Sequence, residues 1–270
     1  MKNNILVSFS LILLFTILSC STSPDKVLFA VAGQSNARGA GDSLKSPDAS
    51  HCCFEYDSRA QKFIPLKDPV GQYHMGFQKS RNGSFTPSLA SNFYERTGAN
   101  VYIVQTAKGE SALHPKAEQK DWGVWGTNGN LLQKSFQKID SAQAKANLNL
   151  RAIIWSQGEN DGVAIAQNKI SIEDYKSELN QLIDQYLARY EEADFVIVST
   201  GTHSNKLKNE GFSKVRKAQE EVANKRERVH IGYNKTHTFA DKDWLKDPVH
   251  YNQKALNDIG KSLAEFIDKL

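Results

Sequence analysis

Cysteine is scarce in this 270-residue chain, which has only Cys20, Cys52 and Cys53. Cys52 and Cys53 are adjacent, a spacing at which a bridge is strained, so no disulfide framework is expected. Neither Cys-x-x-Cys nor His-Glu-x-x-His occurs, and His203, His230 and His237 are scattered. A metal site therefore has no support in the sequence. Charge of one sign is not concentrated anywhere. The 34 Lys and Arg residues alternate with 30 Asp and Glu, for a net charge of +4, which leaves no basic stripe for nucleic acid. No internal repeat and no second domain can be read. With 40% hydrophobic and 24% charged residues, the composition is that of a globular protein, and the length suits one large α/β domain.

The first residues read as a targeting segment rather than as part of the fold. Lys2 precedes an apolar run from Ile5 to Leu18, too short to span a bilayer comfortably, and Ser19-Cys20 follows. Ile17-Leu18-Ser19-Cys20 resembles a bacterial lipobox, so residues 1–19 are expected to be a signal peptide and Cys20 a lipidated cysteine. Residues 20–26 would form a polar tether, and 27–270 the folded domain. The expected location is the bacterial cell envelope, periplasm or outer membrane, or the outside if Cys20 carries no lipid.

Apolar β-branched runs at Val27–Gly33, Asn100–Thr106, Arg151–Trp155, Asp194–Thr200 and Val229–Tyr233 predict five strands. Helical patterns lie between or beyond them at 87–96, 131–147, 172–191, 211–226 and 252–270. Alternation of this kind predicts a three-layer α/β/α sandwich on a five-stranded parallel sheet. Phe54–Asp57 and Lys62–Leu66 read as a small irregular hairpin, and 68–83 as a long surface loop of the kind that is functional or mobile.

In such a sheet ligands bind beyond the carboxyl ends of the strands, and the polar blocks fall there. Gly33-Gln34-Ser35-Asn36 ends the first strand. By itself it is either an ordinary strand-to-helix turn capped by Ser35 or Asn36, or a serine presented as a nucleophile. Gln157-Gly158-Glu159 ends the third strand. Asp247-Pro248-Val249-His250 precedes the last helix, a spacing that lets the carboxylate reach Nδ1 of the same histidine and leaves Nε2 for a serine. Alone, this last block could equally be a helix entry with His250 on the surface.

Together and in this order, the three blocks resemble the SGNH hydrolase superfamily, in its sialate O-acetylesterase-like branch, carbohydrate esterase family 6. The resemblance runs from Val27 to the C-terminus. It implies a flavodoxin-like SGNH hydrolase fold and a serine esterase that removes acetyl groups from carbohydrates without a cofactor. It makes Ser35 the nucleophile, His250 the general base and Asp247 the carboxylate that orients it. The oxyanion hole would be formed by Ser35, Gly109 and Gln157. After the second strand, the branch often has two glycines before a serine or threonine. Here Gly109 is followed by Glu110 and Ser111. Glu159 is a second carboxylate that could orient His250, or else hold the Ser35 loop by accepting backbone hydrogen bonds. Gln34, Asn36, Arg38, Trp122 and Trp125 are candidates for substrate contact, with a surface salt bridge for Arg38 and core packing for the tryptophans as alternatives. The partner is then an acetylated carbohydrate, with membrane contact only through Cys20. Two other readings compete: a lysophospholipase or thioesterase with the same triad, and a glycan-binding surface lipoprotein with an inactive site.

Overall fold

A computed structural model of the chain describes residues 25–126 and 129–270. The predicted signal peptide, Cys20 and nearly all of the predicted tether lie outside the described residues. Seven strands make one sheet: β1 (Lys26–Gly33), β2 (Cys53–Asp57), β3 (Lys62–Pro65), β4 (Asn100–Ala107), β5 (Leu150–Ser156), β6 (Asp194–Val198) and β7 (Val229–Tyr233). Their order is β3-β2-β4-β1-β5-β6-β7. All neighbours are parallel except β2 and β3.

The five-stranded, all-parallel sheet is thus corrected to a seven-stranded mixed one. The predicted hairpin exists, but it extends the main sheet. Cys53, Phe54 and Glu55 pair with Val101, Tyr102 and Ile103 of β4, and β3 closes the edge antiparallel. Short strands with a partly exposed outer member that carries a lysine and a proline are how sheet edges are usually blunted, and their shortness masks them as members of the sheet.

The helices are α1 (Ser35–Arg38), α2 (Thr86–Thr97), α3 (Asn130–Ala146), α4 (Glu159–Ala166), α5 (Ile172–Arg189), α6 (Lys206–Ala223) and α7 (Gln253–Ile267). Strand residues alternate between the two faces, as a period of two requires. Leu28, Ala30 and Ala32 of β1 enter the core beneath α3, α5 and α6, together with Ile153, Trp155, Phe195 and Ile197. Phe29 and Val31 enter the opposite core beneath α2 and α7, with Ile154, Val196 and Val198. The three-layer α/β/α arrangement follows from these two buried faces. Helix α4 lies where the sequence suggested only a strand end with a polar block.

The sheet order positions the site. From β1 the chain passes to β2 and β3 at one edge, returns to β4 beside β1, and then crosses to β5 on the other side of β1. The carboxyl end of β1 is therefore a switch point, where a crevice opens between diverging connections. Ser35, Gly109 and Gln157 follow β1, β4 and β5, the three central strands.

Candidate active site

Ser35 is delivered by a turn that only glycine makes cheaply. Gly33 has φ +130°, and a Cβ there would lie 2.0 Å from the Ser156 carbonyl oxygen. β1 and β5 approach too closely for any side chain, so the backbone turns sharply and α1 starts at Ser35. Ser35 is 5% exposed. Among the described residues, nothing hydrogen-bonds its hydroxyl, and its backbone N–H has no acceptor.

The two flanking amides tie this turn to the other blocks. Gln34 Oε1 faces the amide of Gln157 at 3.2 Å and the backbone N–H groups of Gly158, Glu159 and Asn160 at 3.3, 3.2 and 3.5 Å. Asn36 Nδ2 donates to Glu159 Oε1 at 2.6 Å and to the Val249 carbonyl at 3.3 Å, while its Oδ1 accepts the Tyr251 N–H at 3.3 Å. The residues on both sides of His250 are thereby fastened to the residue after Ser35. The Asn36 side chain is fully engaged and serves as a clamp; its amide has no hydrogen left for a substrate.

His250 sits on a small closed loop. Lys246 N–H binds the His250 carbonyl at 2.8 Å, and Asn252 N–H binds that of Trp244 at 2.9 Å. Lys246 Nζ reaches back to the Ala40 carbonyl at 2.7 Å. Asn252 caps α7 through the Ala255 N–H, so Asp247 is not needed as a cap. Its Oδ1 takes the backbone N–H groups of Val249 and His250 at 3.0 and 2.8 Å, and its Oδ2 lies 2.7 Å from His250 Nδ1. Partial burial pushes the Asp247 carboxyl up, but the hydrogen bonds from His250 and Val249 outweigh it and hold it below its usual range. The side chains are 16% (His250) and 41% (Asp247) exposed.

Glu159 is placed differently. It is 4% exposed at the start of α4, and its Oε2 has no partner among the described residues. Burial raises its pKa, against the pull of the Asn36 hydrogen bond and of nearby His250. It makes no hydrogen bond to the imidazole; it holds the Ser35 block through the Asn36 side chain, not through the backbone bonds expected.

The other proposed oxyanion donors are both occupied. Gln157 Nε2 donates to Asp161 Oδ2 at 2.5 Å and to Gln34 at 3.2 Å. Asp161 in turn accepts the N–H groups of Leu113 and His114 at 2.9 and 2.8 Å, which draws the loop after β4 onto α4. Gly109 N–H donates to Gln78 Oε1 at 2.8 Å, and Arg38 donates to the same oxygen at 2.7 Å.

Gln78 and Asp161 had no assigned role in the sequence. Gln78 belongs to the 68–83 loop, whose length was the one available signal. Asp68 closes the neck of that loop by accepting from Ser84 N and Oγ at 2.8 and 2.7 Å. Further on, Gln78 N–H binds the Ala107 carbonyl and Arg81 N–H binds Gly39.

Among the remaining candidates, Arg38 is no surface salt bridge, being 4% exposed with a neutral amide as its partner. Of the two readings left open for Trp125, substrate contact and core packing, the structure gives core packing. It is fully buried between Phe77 and Trp155, with its indole N–H on Ser111 Oγ at 2.9 Å. Trp122 is half-buried, with Lys108 Nζ 5.7 Å from its ring centre.

A sequence profile for the family described as carbohydrate esterase, sialic acid-specific acetylesterase matches residues 25–269. No curated protein sequence matches the chain. Among solved structures, a protein from Arabidopsis thaliana superposes with a TM-score of 0.68 at 18% identity, over 92% of this chain and 99% of its own. NanS does so with 0.65 at 18% identity, over 92% and 98%. A carbohydrate acetylesterase from Xanthomonas citri gives 0.55 at 16% identity, over 88% and 54%. At these identities the structural likeness shows the fold alone.

Proposed function

The chain belongs to the carbohydrate esterase, sialic acid-specific acetylesterase family and is a carboxylic ester hydrolase, and we propose that it is a serine esterase removing O-acetyl groups from carbohydrates. The substrate is an acetylated sialic acid or an acetylated plant or microbial polysaccharide. The observation that carries the serine mechanism is the Asp247–His250 contact at 2.7 Å, on a loop that Asn36 fastens beside Ser35.

In this mechanism, Asp247 accepts a hydrogen bond from the Nδ1–H of His250, which fixes the tautomer and leaves Nε2 as the base. His250 takes the Ser35 proton as Oγ attacks the acetyl carbonyl, then returns it to the departing sugar oxygen. Water attacks the acetyl-enzyme with His250 again as base, releasing acetate and free serine. The Ser35 N–H already lacks an acceptor. Gln157 contributes by releasing its long 3.2 Å contact to Gln34, which retains three backbone donors. At Gly109, the substrate oxygen replaces the Gln78 oxygen, another carbonyl. Each oxyanion donor is worth about 3 kcal/mol in the transition state. The lipid anchor on Cys20 and the envelope location belong to the same proposal and rest on the Ile17–Cys20 sequence.

The test is acetate release from 4-nitrophenyl acetate and from acetylated glycans, for wild type and Ser35→Ala. Activity in wild type and none in a folded Ser35→Ala protein is expected. Equal activity in both, or none in wild type, would overturn the reading.

A further inference from the structure

A cavity of about 650 Å³ lies between the 68–83 loop and the β2–β3 edge of the sheet, and neither Ser35, Asp247 nor His250 lines it. Its volume is that of a small-molecule site. Glu55 of β2 lines it and is only 3% exposed. Glu55 Oε1 accepts the Gly71 N–H at 2.7 Å and the Gln72 amide at 2.6 Å. Oε2 receives no hydrogen bond from any described residue, and Lys138 is joined to Glu55 only through Gln72. A buried carboxylate with one idle oxygen calls for a donor. Tyr73 also lines the cavity and is 60% exposed, while Ile64 and Pro65 add apolar wall. Acidic and basic side chains line it in equal number, so it has no excess charge with which to draw an ion. An aromatic ring, an idle acceptor and balanced charge suit a neutral ligand that has hydroxyls and an apolar C–H face. A pyranose is such a ligand.

The cavity adjoins the oxyanion donors through one segment of chain. Gly71 lies so close to the Gln78 backbone that an added Cβ would stand 2.8 Å from the Gln78 carbonyl oxygen. The Gln78 side chain, in turn, accepts the Gly109 N–H. Tyr73 is near enough to Arg38, which shares that Gln78 oxygen, for its hydroxyl to favour the Arg38 charge. A ligand in the cavity and an ester at Gly109 would thus occupy two sides of the same loop. We propose that the cavity is a subsite for a second, neutral sugar unit joined to the sugar that carries the acetyl ester, its ring on Tyr73 and a hydroxyl donating to Glu55 Oε2. This rests on the esterase reading and narrows the substrate to a sugar within a chain.

O-acetylated sialic acid is compared with O-acetylated sialyllactose, and O-acetylated xylose with O-acetylated xylotetraose. Whichever sugar is deacetylated, the ester within the chain is expected to have the higher kcat/KM by about 30-fold, mainly through KM, the worth of one hydrogen bond to a carboxylate. Tyr73→Ala removes a ring from an exposed position and brings that ratio to within about fivefold, whereas Tyr73→Phe keeps it because the ring face remains. Glu55→Gln keeps an oxygen for Gly71 and Gln72 but turns the idle acceptor into a donor, and it raises KM for the chain alone. Ester-free lactose and xylotetraose are titrated into Ser35→Ala, and at least one of them is expected to shift the Gly71 and Gln72 backbone amide signals in NMR spectra. Equal kcat/KM for free and chain-borne esters in wild type overturns the subsite while leaving the esterase intact. Acetate from none of the four substrates sinks the esterase reading itself, and the amide shifts then decide separately whether the cavity takes a neutral sugar. The wild-type ratio and Tyr73→Ala settle the matter even if Glu55→Gln does not fold.

Discussion

Asn36 donates to Glu159 at 2.6 Å while its other contacts hold the backbone immediately before and after His250. One amide thus joins the turn after β1, the start of α4 and the histidine loop. The second and third of these lie 123 and 213 positions along the chain from Asn36, and their placement relative to Ser35 depends on this side chain.

Asn36→Ala should therefore act on both rate and stability. Truncation leaves the buried Glu159 without its hydrogen-bond donor and releases the His250 loop. Loss of a partner to a buried charged group costs about 1–3 kcal/mol. In urea unfolding the variant should lose that much, and kcat on 4-nitrophenyl acetate should fall about 100-fold, since small misplacements of a base are costly. Wild-type kcat in Asn36→Ala would show that the clamp has no part in placing His250.

The two carboxylates near His250 give opposite expectations. Asp247 touches Nδ1, so Asp247→Asn removes the acceptor that sets the tautomer, and kcat should drop by roughly 1,000-fold or more. Glu159 touches Asn36 instead. Glu159→Gln keeps an oxygen to accept that hydrogen bond and removes a charge that burial disfavours, so kcat should stay within about tenfold of wild type. Kinetics of the two variants decide between the carboxylates, and a larger loss for Glu159→Gln would reverse the assignment of Asp247.

Much of this site was legible because local chemistry announced it. The run from Val27 ends in a glycine that must turn, and the three-residue spacing of Asp247 and His250 brings their side chains together on any short loop. The polar blocks at strand ends also kept their place in the fold. What could not be read depended on distant pairing. The β2–β3 hairpin looks isolated, because only its alignment with β4 makes it part of the sheet. Trp125 reads equally as a sugar platform or a core residue until Phe77 and Trp155 are seen to pack against it. Gln78 sits in a segment without periodicity, and its arrival at Gly109 is set by the Asp68–Ser84 neck and by backbone bonds to Gly39 and Ala107. A polar residue in such a loop carries no mark of its partner.

Gly109→Ala tests that arrangement. The objection to a methyl here is space: it would meet Arg38 at 2.6 Å and Gln78 at 2.9 Å. The guanidinium and the loop must shift, and the N–H moves with them. An oxyanion donor lost or misaimed costs on the order of 100-fold in kcat. A circular dichroism melt close to wild type with kcat reduced by that factor is the expected pair of results, and unchanged kcat would remove Gly109 from the oxyanion hole.

Away from the site, Glu55 and Lys138 form a buried pair bridged by Gln72, whose amide donates to Glu55 at 2.6 Å and accepts from Lys138 at 3.3 Å. Burial pushes Glu55 up to about 7, against the attraction of Lys138. Burial likewise pulls Lys138 down to about 8, against the attraction of Glu55. The signs follow from linkage. Glu55 binds its proton more tightly folded than unfolded, so its contribution to stability falls as pH rises from about 4.5 to about 7. Lys138 releases its proton more readily when folded, so its contribution rises between about 8 and 10.5. The pair is least favourable between those windows. Lys138→Met leaves Glu55 buried alone, which should cost about 3 kcal/mol at about pH 7.5, between the two values, where both members of the pair carry most of their charge and an unpaired carboxylate must ionise or hold a proton against solvent. At pH 5.5 Glu55 is protonated when folded and the variant removes a buried cation, so the loss should shrink or reverse. Replacing both by Glu55→Leu and Lys138→Met should return stability to within about 1 kcal/mol of wild type or above it. Urea unfolding at the two pH values measures this directly. A loss that is equal at both would mean that the cost lies in the hydrogen bond from Lys138 to the Gln105 carbonyl and not in the charge left on Glu55.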